Sequence, residues 1–186
     1  MWTELSATCC RVALLVTDTP DRLPIVVDIH IFVDAFIGAG RRGILSWPNP
    51  PPASGNPEAD CMGVLVDGRE FSLWLSRHVL RNVAIVLAEE LYGDEKRITQ
   101  TIEYLIKVAK RSGGGVLEPH MKVAECVADF EDNRILEVAA SCEAVRIVSN
   151  DPHLTDISPW KGTIIQTADK FVKNVDVTRR GRRGRR

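Results

Sequence analysis

The chain has no apolar run approaching the ~20 residues needed to cross a bilayer. It has no CxxC pair and no cysteine–histidine grouping at zinc-finger spacing. P-loop and GxSxG signatures are missing, as is any internal repeat. The opening Met1-Trp-Thr-Glu-Leu-Ser6 lacks a basic segment followed by an apolar one, which predicts no secretory signal. These absences argue against a membrane span, a structural zinc module, a P-loop nucleotide site and a nucleophile-elbow hydrolase. The five cysteines (9, 10, 61, 126 and 142) are odd in number and cannot all pair. They predict a reduced, cytoplasmic chain in which cysteine serves packing. What is present, 186 residues with 45% hydrophobic and 26% charged, suits one domain with a real core plus short extensions.

The net charge of −1 conceals an asymmetry. Residues 179–186 read Arg-Arg-Gly-Arg-Arg-Gly-Arg-Arg, six arginines and no acid. Without them 18 basic residues stand against 25 acidic ones, so the body carries −7. Such a tail is either a solvated extension or a phosphate-seeking arm that offsets repulsion between an acidic body and a nucleic acid. Composition weighs the two evenly.

Patterning divides the chain into an N-terminal extension (1–23), a domain (24–178) with a proline-rich loop at 47–57, and the basic tail (179–186). Ile25-Val26-Val27, ending in Asp28, has the character of a buried parallel strand. Ile31–Ile37 predicts a short helix, closed by Gly38-Ala-Gly40. Asn56 and Pro57 form a cap-then-proline start for a helix to Val66. Phe71–Leu75 predicts a strand, and Ser76 caps a helix to about Leu91 with Val79, Leu80, Val83, Val86 and Leu87 along one stripe. A helix over 95–111 ends on cations followed by Gly113-Gly-Gly115, a coherent stop signal. Val116-Leu117 predicts a short strand, Glu131–Cys142 a helix, Val145–Val148 and Thr163–Ile165 strands, and Ala168–Val175 a closing helix. Strands alternating with helices predict an α/β domain with a mostly parallel sheet covered on both faces.

In open parallel sheets, ligands bind beyond the carboxyl ends of the strands. Asp28 follows the first strand, Asp151 follows Val145–Val148 after Ser149-Asn150, and Asp132 opens the helix leading into that strand. Each has a plain local explanation. Asp28 and Asp151-Pro152 can cap helices, and Asp129 and Asp132 stand in a relation that favours carboxylates at a helix N-terminus. Together they suggest more. Two carboxylates ~4 Å apart repel by roughly 4 kcal/mol at an effective dielectric of 20. Three in one cleft either take up protons or hold a divalent cation, and oxygen-only ligation favours Mg2+ or Mn2+ over zinc.

Four stretches, Ile25-Val-Val-Asp28-Ile-His-Ile-Phe-Val33, Leu75-Ser-Arg-His-Val-Leu-Arg-Asn82-Val83, Asp129-Phe-Glu-Asp132-Asn-Arg-Ile-Leu-Glu-Val-Ala139 and Val148-Ser-Asn-Asp151-Pro-His-Leu154, resemble in order and spacing the motifs of the PIN-domain nucleases. That family includes the VapC-type toxins of bacterial toxin–antitoxin modules, and the resemblance runs from about Pro24 to Val175. It implies a three-layer α/β/α fold around a parallel, about five-stranded sheet. It also implies an endoribonuclease that hydrolyses RNA phosphodiesters with Mg2+ or Mn2+. For the toxin of a type II module it adds an antitoxin protein and a homodimer as partners. Residue by residue, it makes Asp28, Asp132 and Asp151 catalytic metal ligands and places Ser149 on the family's usual Ser/Thr. Three positions depart from the pattern. Asn82 stands where a glutamate is usual, Ile29-His30 replace a Thr/Ser-then-Asn pair after the first acid, and His153 stands where a further acid is often found.

Asn82 has apolar helical neighbours in Val79, Ile85 and Val86, so it is expected to face inward and to find its partners near the acids. Its carbonyl can ligate the metal or orient a water but supplies no charge. His30 reads as a hydrogen-bonded packing residue ahead of a ligand. Ser149 can hold a water or turn the chain, and His78, His120 and His153 show no ligand spacing. RNA contacts are expected chiefly at phosphates. The candidates are Arg41, Arg42, Arg77 and Arg81, with Arg179 and Arg180 in the tail, and solvated surface charge is the plain alternative for each. Two functions stand: a metal-dependent ribonuclease, or a catalytically weakened PIN-like module that binds RNA or protein. A nuclease acting on structured DNA is the third.

Overall fold

Ile25, Val26 and Val27 are almost wholly inaccessible to solvent, as a β-branched run at the centre of a parallel sheet should be. The structure is a computed structural model that describes residues 22–39, 55–91, 93–125 and 130–183. In chain order it runs β1 (Leu23–Val27), α1 (Ile29–Ala39), α2 (Pro57–Asp67), β2 (Phe71–Ser76), α3 (Arg77–Glu90), α4 (Glu95–Arg111), β3 (Gly115–Leu117), α5 (Phe130–Ser141), β4 (Arg146–Val148), α6 (Pro152–Thr155), β5 (Ile164–Gln166) and α7 (Ala168–Arg183). All four strand pairings are parallel, in the order β3-β2-β1-β4-β5. The α/β fold with a parallel five-stranded sheet, expected from the alternation of elements, is what the chain adopts, in three α/β/α layers.

The strand order places the working edge. From β1 the chain steps outward to β2 and β3, then returns past β1 to β4 and β5. Right-handed crossovers in opposite directions send their helices to opposite faces, and the reversal of direction falls between β1 and β4. Val27 is level with Val148, and Asp28 N–H donates to the Val148 carbonyl at 2.9 Å. Asp28 and Ser149 therefore leave the sheet side by side.

Several boundaries are set by local chemistry. Asn56 Oδ1 accepts from Ala59 N–H (2.8 Å) ahead of Pro57, Ser76 Oγ accepts from Val79 N–H (3.2 Å), and Asp94 Oδ1 accepts from Arg97 N–H (3.1 Å). Each satisfies an otherwise unpaired amide in a first helical turn. The α4–β3 turn is stitched to β2. Ser112 Oγ accepts from Leu73 N–H at 2.9 Å, and a Cβ built on Gly114 would lie 1.9 Å from the Leu73 carbonyl oxygen. Only glycine permits that approach. Gly114→Ala is expected to lower stability by about 1–3 kcal/mol as β3 is pushed off β2, read as a lower denaturation midpoint.

Two helices differ from expectation. α1 starts directly after Asp28, two residues earlier than Ile31, and Asp28 Oδ1 accepts from the amide of its first residue, Ile29, at 2.6 Å. The closing helix runs past Val175 to Arg183, so the first arginines of the basic stretch continue α7. Arg179 lies on α7 with its side chain 3% exposed. It pairs with both Glu70 oxygens (3.0 and 2.6 Å) and with Asp67 Oδ2 (3.0 Å). A guanidinium so engaged cannot reach RNA, and its assignment as a nucleic-acid contact is corrected accordingly. Arg180 is exposed and pairs with Asp176 one turn earlier.

Cys61 is fully buried, and burial pushes its thiol up. Cys142 is pushed up to about 11, chiefly by burial, so both stay protonated near neutrality. No helix among the described residues is long and apolar enough to cross a membrane. Arg41, Arg42, Asp129, Cys9, Cys10, Cys126, most of the N-terminal extension and most of the proline-rich loop lie outside the described residues.

Candidate metal centre

Asp151 caps α6, accepting from His153 N–H on Oδ1 at 2.7 Å, with Pro152 at the first helical position. The cap-then-proline reading of this stretch holds, and the same geometry gives the residue a second use. Ligand atoms of Asp132, Asp151 and His153 all lie within 4.8 Å of one another. Asp132 reaches this point from the first turn of α5. Two carboxylates at such a separation repel by roughly 3 kcal/mol at an effective dielectric of 20. A divalent cation between them turns that repulsion into attraction. Asp132 is buried, whereas the side chains of Asp151 and His153 are 33% and 66% exposed, so the cluster opens to solvent through α6.

Asp28 is beside this cluster and not within its three-residue set. Its Oδ1 accepts from Ile29 N–H and its Oδ2 from Ser149 Oγ at 2.7 Å. Ser149 is wholly buried, and its hydroxyl also accepts from Asp151 N–H at 3.0 Å. This hydroxyl thus ties the first acid to the loop that carries Asp151. Asn150 anchors the same loop from the other side, donating to Glu58 Oε1 (2.8 Å) and accepting from Ala168 N–H (3.2 Å). The expectation that three aspartates share one ligand set is corrected in this respect. Asp132 and Asp151 come together, and the third member is His153.

Burial raises the proton affinity of Asp28, and the nearby charge of Asp151 adds to it. The Ser149 hydroxyl, the Ile29 amide and His30 oppose the rise. With its folded pKa above its unfolded one, Asp28 favours the fold when protonated. That contribution is lost as pH rises from the ordinary carboxylate range through the folded pKa. Asp28→Asn is therefore expected to raise the thermal midpoint by a few degrees near neutral pH. The gain should narrow as pH falls into the carboxylate range, where wild-type Asp28 takes up its own proton; melting curves near neutrality and in that range read it directly.

Asn82 is half-buried and turned toward α5. Its Nδ2 donates to Glu131 Oε2, which also meets His78 Nε2, while Asn82 Nδ2 lies 3.1 Å from His78 Nε2. This clasp joins the first turns of α3 and α5 next to Asp132 and supplies a carboxylate on the neighbouring helix. His30 is exposed, so the packing role expected for it does not hold. Arg77 and Arg81 are both exposed on α3, and Arg77 pairs with Glu118 at 3.0 Å.

Sequence reasoning found no ligand spacing for His153 and His78 and did not single out Glu131. His153 carried one usable signal, its place two residues after a strand-end aspartate, where a capping turn brings side chain and cap together. Glu131 sits inside the third acidic motif, but its partner Asn82 lies 49 positions away. Compared with protein-family models, with curated proteins and with solved structures, the chain matches none.

Proposed function

We propose that this chain is a metal-dependent ribonuclease of the PIN type, as its motifs suggest. The observation that carries the reading is the meeting of Asp132, Asp151 and His153 beyond the carboxyl end of β4. Two carboxylates and an imidazole fit a divalent cation. When bound there, such a cation would activate a water and offset the charge of a phosphodiester. Asp132, Asp151 and His153 would hold it. Ser149 fixes the loop bearing Asp151 and restrains Asp28, so the acids are positioned before substrate arrives. Single-stranded RNA is the proposed substrate, and Mg2+ or Mn2+ the proposed cofactor. A toxin role, an antitoxin partner and a homodimer extend the same proposal by analogy alone.

One observation favours the second reading, a binding module with weakened cleavage. Both oxygens of Asp28 are engaged internally, which leaves two carboxylates facing the cation. A single assay separates the readings. Labelled single-stranded RNA is incubated with Mn2+ or Mg2+, with and without chelator, using wild-type chain and Asp132→Asn. Chelator-sensitive cleavage that depends on Asp132 supports the nuclease. Binding without cleavage under both ions supports the module.

A further inference from the structure

We infer that His153 makes this centre select a first-row transition ion such as Mn2+ over Mg2+. His153 has this role only if the cluster takes a cation at all, so it rests on the reading above. The donor set that the geometry assembles is two carboxylates and one imidazole, within 4.8 Å. Mg2+ favours an all-oxygen shell and gives up water reluctantly. Imidazole nitrogen favours ions further along the first-row series, while carboxylate oxygen accepts Mn2+ and Mg2+ alike. One nitrogen in place of one oxygen therefore shifts preference without abolishing binding.

The placement of His153 supports the role. Asp151 and His153 flank Pro152 at the start of α6, and the Asp151 Oδ1 bond to His153 N–H fixes the two relative to each other. The His153 Nδ1 atom lies 3.6 Å from Asp151 Oδ1, and most of the side chain faces solvent, so the ring is not committed to the core. The other three imidazoles are elsewhere. His78 Nε2 meets Glu131 and Asn82, while His30 and His120 lie outside the three-residue group.

The test uses the full chain and Mn2+ itself as probe, with no turnover required. Titration followed by the paramagnetic resonance of free Mn2+, with Mg2+ as competitor, gives the ratio of affinities. Spin-echo modulation of the bound ion reports directly bonded nitrogen. Wild type is expected to show nitrogen modulation and to prefer Mn2+ by at least about tenfold, or roughly 1.4 kcal/mol. His153→Asp keeps an oxygen ligand and the Asp151 cap. It should still bind Mn2+, lose the nitrogen signal and lose most of the preference. Mn2+ bound by wild type without nitrogen modulation, or modulation that persists in His153→Asp, overturns the role of His153 and leaves the metal centre standing. Failure of wild type to bind Mn2+ at millimolar concentration overturns both.

Discussion

Asp132→Asn is expected to lower cation-dependent RNA cleavage by at least about 100-fold while the chain stays folded. Asp132 is the one buried ligand of the candidate cluster, so little water is available to replace what its carboxylate supplies. Asparagine matches it in shape but removes the charge, which leaves Asp151 as the sole carboxylate of the group. The structural cost is small by comparison. Asp132 lies in the first turn of α5, where a carboxylate interacts with the helix dipole by about 0.3–1 kcal/mol. Activity and thermal midpoint should therefore separate, with a large fall in the first and a shift of a few degrees in the second. Equal cleavage by variant and wild type would remove the basis of the proposed function.

Arg179→Ala should produce the largest loss of stability, about 3–5 kcal/mol. The side chains of Arg179, Asp67 and Glu70 are 3%, 10% and 15% exposed, so truncation leaves two poorly solvated carboxylates facing an empty space. Asp67 retains Arg69 at 3.0 Å, but Glu70 loses both guanidinium bonds. For a domain of this size the midpoint should fall by roughly 6–20 °C. Arg179→Lys should lie between, since an ammonium keeps the charge and loses the fork that engages both Glu70 oxygens. The neighbouring Arg180→Ala breaks only an exposed pair and should leave the midpoint unmoved. Parallel melting curves of the three variants distinguish a buried clamp from a general effect of removing arginines.

Much of the fold could be read from the residues because its signals are local. Asn56-Pro57, Ser76 and the run Ile25–Val27 declare their roles within a few positions. Asp28 and Asp151 were legible as strand-end residues for the same reason, since parallel strands all deliver their next residues to one edge of the sheet. The features that stayed hidden depend on distant partners. Arg179 looks like its neighbours along the chain, and its burial is decided by Glu70, 109 positions earlier. His153 becomes interesting only once α5 brings Asp132 beside it. The internal engagement of Asp28 could not be seen either, because it depends on a hydroxyl 121 positions away.

That last separation bears on when the molecule can act. Among the described residues β1 is the first strand, yet its neighbour β4 comes after the two strands on its far side. Closing so long a loop costs more entropy than any of the earlier pairings, and contacts of that span form late. A chain caught midway would hold helices and half a sheet while Asp28 and Ser149 were still apart. The loop that bears Asp151 gains its tie to Asp28, through the Ser149 hydroxyl, only when β4 docks on β1.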